Sequence, residues 1–130
     1  MQRHSPEERE RGQAATEFAI CAPILCMLLI GIVQYGQMIW TNMELTSATR
    51  DGARRAAVAR VESSPVTEVT TVVNDSLDTI DPALVNVSVT GGWSQDSDVT
   101  VIATTPYTLD IMGIEMWSGN LRSSSTVRIG

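Results

Sequence analysis

The chain has 130 residues, a formal net charge of −6 and 43% hydrophobic residues. That length suffices for one small domain plus an anchor, not for two domains with separate cores. An acidic chain repels nucleic acid, so no DNA or RNA partner is expected.

The elements follow in chain order. A charged run through Arg11 stops at Gly12, and an apolar run starts almost at once, with Glu17 just inside its edge. Phe18 to Trp40 reads FAICAPILCMLLIGIVQYGQMIW and contains no charged residue. A helix needs roughly 20 apolar residues to cross the hydrocarbon core, and this stretch has that length. Tyr35 and Trp40 lie toward one end, where an interfacial belt would put them. A cleaved secretory signal is the first alternative, but signal h-regions are about 7–15 residues long and end at small residues. A buried core helix is the second, and the rest of the chain has too little apolar surface to wrap it. A transmembrane segment at about 18–40 is therefore expected, in contact with membrane lipid. The arginines flanking it are nearly balanced: Arg3, Arg9 and Arg11 before, Arg50, Arg54 and Arg55 after. The N-terminus is expected on the cytoplasmic side because the folded part lies C-terminal to the span.

Cys21 and Cys26 lie within this run, and a spacing of five on a helix points them to different faces. An intermolecular bridge or a lipid attachment is one reading; small buried hydrophobes is the other, and it is preferred. Pro23 removes a backbone donor inside the span. It reads either as a built-in kink or as a proline that a membrane helix tolerates.

From Thr41 to Arg60 there is no proline and one glycine, with Leu45, Ala48, Gly52, Ala56 and Ala59 at helical spacing. One long helix from about Ala14 to Val61 is predicted, stopped by Ser63-Ser64-Pro65. The stripe Ala48, Gly52, Ala56 is made of small residues. Glycine inside a helix costs ~1 kcal/mol against alanine, so Gly52 marks close packing. The partner is the chain's own globular part, or another copy or relative, and both can hold because a long helix has more than one face. Arg50, Arg54, Arg55 and Arg60 cluster beside the stripe and read as a solvated face, a lipid headgroup contact or a partner for the acidic segment beyond.

Pro65 to Ile80 places Val66, Val69, Val73, Leu77 and Ile80 on one side of a second helix, weakened by its β-branched residues. Leu84–Thr90 and Val99–Thr105 alternate as strands, the second stopping before Pro106. Leu109–Trp117 is a short helix or a packed loop, and Leu121–Ile129 is a last strand. The fold class is thus α+β. A long N-terminal helix, transmembrane in its first half, packs on a small antiparallel sheet with a second helix. The sheet would be marginal alone and is expected to lean on the long helix.

No chemistry emerges from the side chains. The one histidine is His4, upstream of the membrane, and no distal histidine or cysteine can serve as a base or nucleophile. Asp96-Ser97-Asp98 hints at a calcium loop, but Val101 stands where the turn glycine belongs. Asp75, Asp78 and Asp81 read as a solvated helical face, and the sequons at Asn74 and Asn86 are weak patterns. No catalytic residue, metal ligand or cofactor is expected, and the chain is not expected to be an enzyme.

Gly12 followed by four residues and Glu17 at the mouth of an apolar helix resembles the processing signal of type IV pilins. More specifically, four elements in order resemble the TadE-like family, minor pilins of the tight adherence (Flp) system. They are Glu17-Phe18, Pro23, Gly31-Ile32-Val33 and Arg50-Asp51-Gly52-Ala53-Arg54. The resemblance covers about the first half of the chain. It implies a leader at 1–12, cut by a prepilin peptidase between Gly12 and Gln13, a helix at 13–62 and an extracytoplasmic domain at 63–130. It also implies partners: the major and other minor pilins through the N-terminal helix, the peptidase, and the inner-membrane assembly platform.

The cut would create an ammonium on Gln13, one helical turn from Glu17, and Glu17 is expected to pair with it within one chain or between subunits. Two unit charges 4 Å apart gain about 4 kcal/mol at an effective dielectric near 20, before desolvation. A helix-dipole contact worth ~0.3–1 kcal/mol is the weaker alternative. Two other readings stand beside the pilin: an uncleaved single-pass scaffold of a secretion or pilus machine, and an exported enzyme or binding module on an anchor.

Overall fold

The computed structural model describes residues 6–61 and 63–130. Arg3, His4 and the rest of residues 1–5 of the expected leader lie outside the described residues, as does Glu62. Helix α1 spans Pro6–Val58 and ends in a 3-10 turn, Ala59–Val61. At ~1.5 Å per residue it is about 80 Å long. It starts before Ala14, so Pro6 to Gly12 are helical too. Local chemistry accounts for this. Glu7 to Arg11 are all glutamate or arginine, which are good helix formers.

Helix α2 spans Pro65–Asp75, five residues shorter than the apolar spacing predicts. Leu77 is buried and Ile80 half-buried all the same. The periodicity reported burial there rather than helix. The N–H groups of Asp78, Thr79 and Ile80, which a longer helix would spend on its own carbonyls, go instead to the Glu44 carboxylate on α1. The three aspartates therefore share no helical face: Asp75 closes α2, Asp78 lies in the following bend, and Asp81 accepts from Ala83 N–H at 2.9 Å to open a 3-10 turn at Pro82–Leu84.

Three antiparallel strands complete the chain in the order β1-β2-β3: β1 Asn86–Gly91, β2 Asp98–Ile111 and β3 Ile114–Arg128. β2 runs through Pro106, where a break was predicted. β1 pairs only as far as Thr104, so past that point β2 is an edge on that side, and a missing N–H is tolerated at an edge. The stretch Leu109–Trp117 is neither helix nor loop. It is the end of the β2–β3 hairpin, turned by Met112 and Gly113 and bulged between Leu109 and Asp110.

The fold is α+β in two layers, both helices on one face of the sheet. Alternation along β2 buries Val99, Val101, Ala103 and Thr105. These meet Leu45, Ala48, Ala53 and Ala56 of α1 and Val69 and Val73 of α2. Leu121 and Ile129 close the core from β3's side. Thr49, buried beside them, donates its hydroxyl to Leu45 O at 2.6 Å, so no polar group is stranded there.

Candidate functional site: the N-terminal helix

The distal domain sits on the C-terminal half of α1 and leaves the other half bare. Phe18 is 71% exposed, Leu28 61% and Ile32 68%. Apolar side chains face outward all around this half, so no single stripe can be covered by one neighbour. A soluble monomer rarely shows so large a continuous apolar surface; it marks contact with lipid or with other proteins. The helix carries one segment long and apolar enough to cross a membrane. Cys21 and Cys26 lie on this surface, exposed like the apolar side chains around them.

At its charged end, Gly12 is exposed with open space around its Cα. Its carbonyl accepts the Thr16 hydroxyl at 2.9 Å. Gln13 Nε2 donates to Glu17 Oε1 at 3.1 Å, one turn on. Gly12, Gln13 and Glu17 thus form one local group on an accessible helix. Pro23 lies inside an unbroken α-helix. Lacking an N–H, it leaves the Ala19 carbonyl without its intrahelical donor.

The small-residue stripe lies far from this group, about 46 Å along the axis between Glu17 and Ala48. Ala48 and Ala56 are fully buried, and Gly52 is buried with them. A methyl group on Gly52 would collide with Val73 Cγ2 of α2 and lie 3.5 Å from Val69 and Val101. Of the two partners considered for this stripe, the chain's own domain occupies it. Any contact with another copy must use a different surface of α1. The arginines beside it divide. Arg55 bonds Glu68 of α2 at 3.0 Å, linking the helices, while Arg54 reaches Asp51 only at 4.0 Å with its side chain 85% exposed.

Two residues with structural roles were not singled out from the sequence. Glu44 Oε1 accepts three backbone N–H groups, from Asp78 at 2.6 Å, Thr79 at 2.7 Å and Ile80 at 3.2 Å. Burial is the largest influence on this carboxyl and acts to raise its pKa, but the bonds from Thr79, Ile80 and Asp78 together outweigh it. The net value lies below the ordinary one. Gln34 holds the hairpin: its Oε1 accepts Asp110 N–H at 3.2 Å, and its carbonyl accepts the Tyr107 hydroxyl at 3.4 Å. The signals were present, an acid just past the apolar run and a glutamine within it, but single polar residues name no partner. Among the described residues, no group of three or more His, Cys, Asp or Glu side chains could hold a metal ion.

The family model for TadE-like proteins matches residues 12–54. The matched stretch runs from the Gly12 group through the bare half of α1 to Arg54, and it ends before α2 and the sheet begin. No curated protein and no solved structure matches the chain.

Proposed function

We propose that this chain is a TadE-like minor pilin that takes part in assembling a Tad/Flp-type pilus for surface adherence. It acts by packing its N-terminal helix against other pilins, not by catalysis. The helix crosses the inner membrane with its N-terminus in the cytoplasm, and the α2/sheet domain lies outside. A prepilin peptidase cuts after Gly12, and the inner-membrane platform draws the trimmed helix into the assembly. One observation carries the reading. The stretch that matches the TadE-like family is the stretch whose apolar half is left bare by the chain's own fold.

Cleavage asks something of the structure. The Gly12 carbonyl lies within α1 and takes the Thr16 hydroxyl as well, so the helix must open locally before the bond is reached. Glycine lowers the cost of opening, since it is a poor helix former by ~1 kcal/mol against alanine. The same continuity favours the second reading, an uncleaved single-pass scaffold of the pilus machine. Co-expression with a prepilin peptidase, followed by N-terminal sequencing of the membrane-purified chain, separates the two. A new N-terminus at Gln13, lost in Gly12→Val, supports the processed pilin. An intact leader in cells that process a control pilin supports the scaffold.

A further inference from the structure

The β2–β3 hairpin points along α1 toward its bare apolar half. Its successive contacts with the helix step down that axis. Ser123 of β3 meets Thr46 at 3.3 Å, Tyr107 and Asp110 of β2 meet Gln34, and Ile111 Cδ1 lies 3.5 Å from where a Gly31 Cβ would stand. Within the segment at about 18–40, with Trp40 in the interface at its end, a hydrocarbon core of roughly 20 residues counted from Phe18 ends near Gln37. Gly31 lies six residues short of that point, about 9 Å inside at ~1.5 Å per residue. The hairpin therefore ends below the level at which the helix leaves the bilayer.

The tip has the chemistry for that position. Met112 is 63% exposed, Ile114 57% and Met116 62%, although each is a large apolar side chain. The turn is made by two residues with positive φ, Met112 at 55° and Gly113 at 82°. Such turns favour asparagine or aspartate before the glycine. A methionine held there puts an apolar side chain at the extreme end of the hairpin. Two of the tip's N–H groups are also provided for. Gly113 N–H goes to Asp110 Oδ1 at 2.8 Å, and Asp110 N–H goes to Gln34 Oε1. Unbonded N–H groups are costly in hydrocarbon, so these two bonds lower the cost of shallow burial at the interface. Asp110 and Glu115 face each other across the strands just above the turn, and the cost of burying two carboxylates limits the depth the tip can reach.

We propose that this tip dips into the outer leaflet of the membrane that α1 crosses, with Met112, Ile114 and Met116 at the boundary of headgroup and acyl chain. The proposal rests on the reading that α1 spans the membrane. The occupant is lipid because the tip lies against the segment of α1 that lipid would surround, continuing the same apolar surface. No basic residue lies between Val61 and Leu121, and the two charges at the tip are acidic. The contact is therefore apolar, needs no anionic lipid, and works at the ~5–10 Å depth of an interfacial element.

The test places a bimane label on the full chain in phosphatidylcholine nanodiscs, with all cysteines but the labelled one changed to serine. Labels on Met112→Cys and, independently of the turn, on Met116→Cys should lose emission to bromines on the acyl chains and resist aqueous iodide. A label on native Cys26 should behave likewise, and one on Gln95→Cys in the β1–β2 loop should do the opposite. If Cys26 is in lipid while both tip labels are quenched by iodide alone, the tip proposal is overturned and the span stands. If Cys26 itself is reached by iodide, the span fails and the tip proposal with it. Tip labels shielded from both quenchers would overturn the lipid assignment in favour of a protein neighbour.

Discussion

Glu44 and Thr79 are joined across 35 residues by a bond of 2.7 Å from a backbone N–H to a carboxylate. With Asp78 and Ile80 beside it, this bond fastens the segment after α2 to the long helix. The second oxygen of the carboxylate is buried with no hydrogen-bond partner, so the clamp depends on the first. Glu44→Ala strands three donors and is expected to destabilise the distal domain by about 1–3 kcal/mol. Amide exchange at Asp78, Thr79 and Ile80 should accelerate ahead of exchange in β2.

The same carboxylate gives the domain an acid limb. Its folded pKa lies below its unfolded value, so the clamp's stabilisation is fully present above the unfolded value and is lost as pH falls through the folded one. Thermal unfolding of the detergent-solubilised chain should show this loss on the acid side. Glu44→Gln should flatten that part of the profile while lowering stability at neutral pH.

Gly52→Ala tests the packing of α1 on α2. Helix propensity alone would make the change favourable by ~1 kcal/mol. The collision with the fully buried Val73 should reverse the sign and leave a net loss of about 1–3 kcal/mol. Val73→Ala should cost stability in the parent but less in the Gly52→Ala background, a coupling that a double-mutant cycle measures directly.

The link between Arg55 and Glu68 predicts a small effect. Both side chains are a third or more exposed, at 35% and 46%. Glu68→Gln should therefore cost no more than ~1 kcal/mol, and the cost should shrink as salt is added.

Glu17→Gln probes the other end of α1. In the uncut chain Glu17 accepts from the Gln13 amide, which asks little of its charge. If the cut chain pairs Glu17 with the new amine, the substitution should spare membrane insertion and reduce incorporation into pili by about tenfold or more, a difference of ~1.4 kcal/mol. Quantifying the subunit in sheared pili against membranes reads this out, and unchanged incorporation would rule the pairing out.

How much could be read beforehand depended on the kind of signal. Phe18 to Trp40 announced itself because uninterrupted apolar length has few physical explanations. Leu45, Ala48 and Ala56 followed from helical spacing, and the alternation of Val99, Val101 and Ala103 from strand spacing. What stayed hidden was decided by contacts between distant segments. Leu77 and Ile80 keep helical spacing outside any helix because Glu44, 33 to 36 residues upstream, takes the donors around them. Leu109 to Trp117 looked helical or irregular because neither its bulge nor a left-handed Met112 has a periodicity to detect. The Gly12, Gln13 and Glu17 group was legible as a pattern, and the structure added the continuous helix that any peptidase must open.

One wall of the distal core belongs to α1 itself, from Leu45 to Ala56, with Gln34 roping the hairpin to the same shaft farther down. No linker separates head from mast. A tug or twist applied at the foot of the mast cannot be absorbed by slack on the way, so the sheet must travel with it as a single piece of rigging.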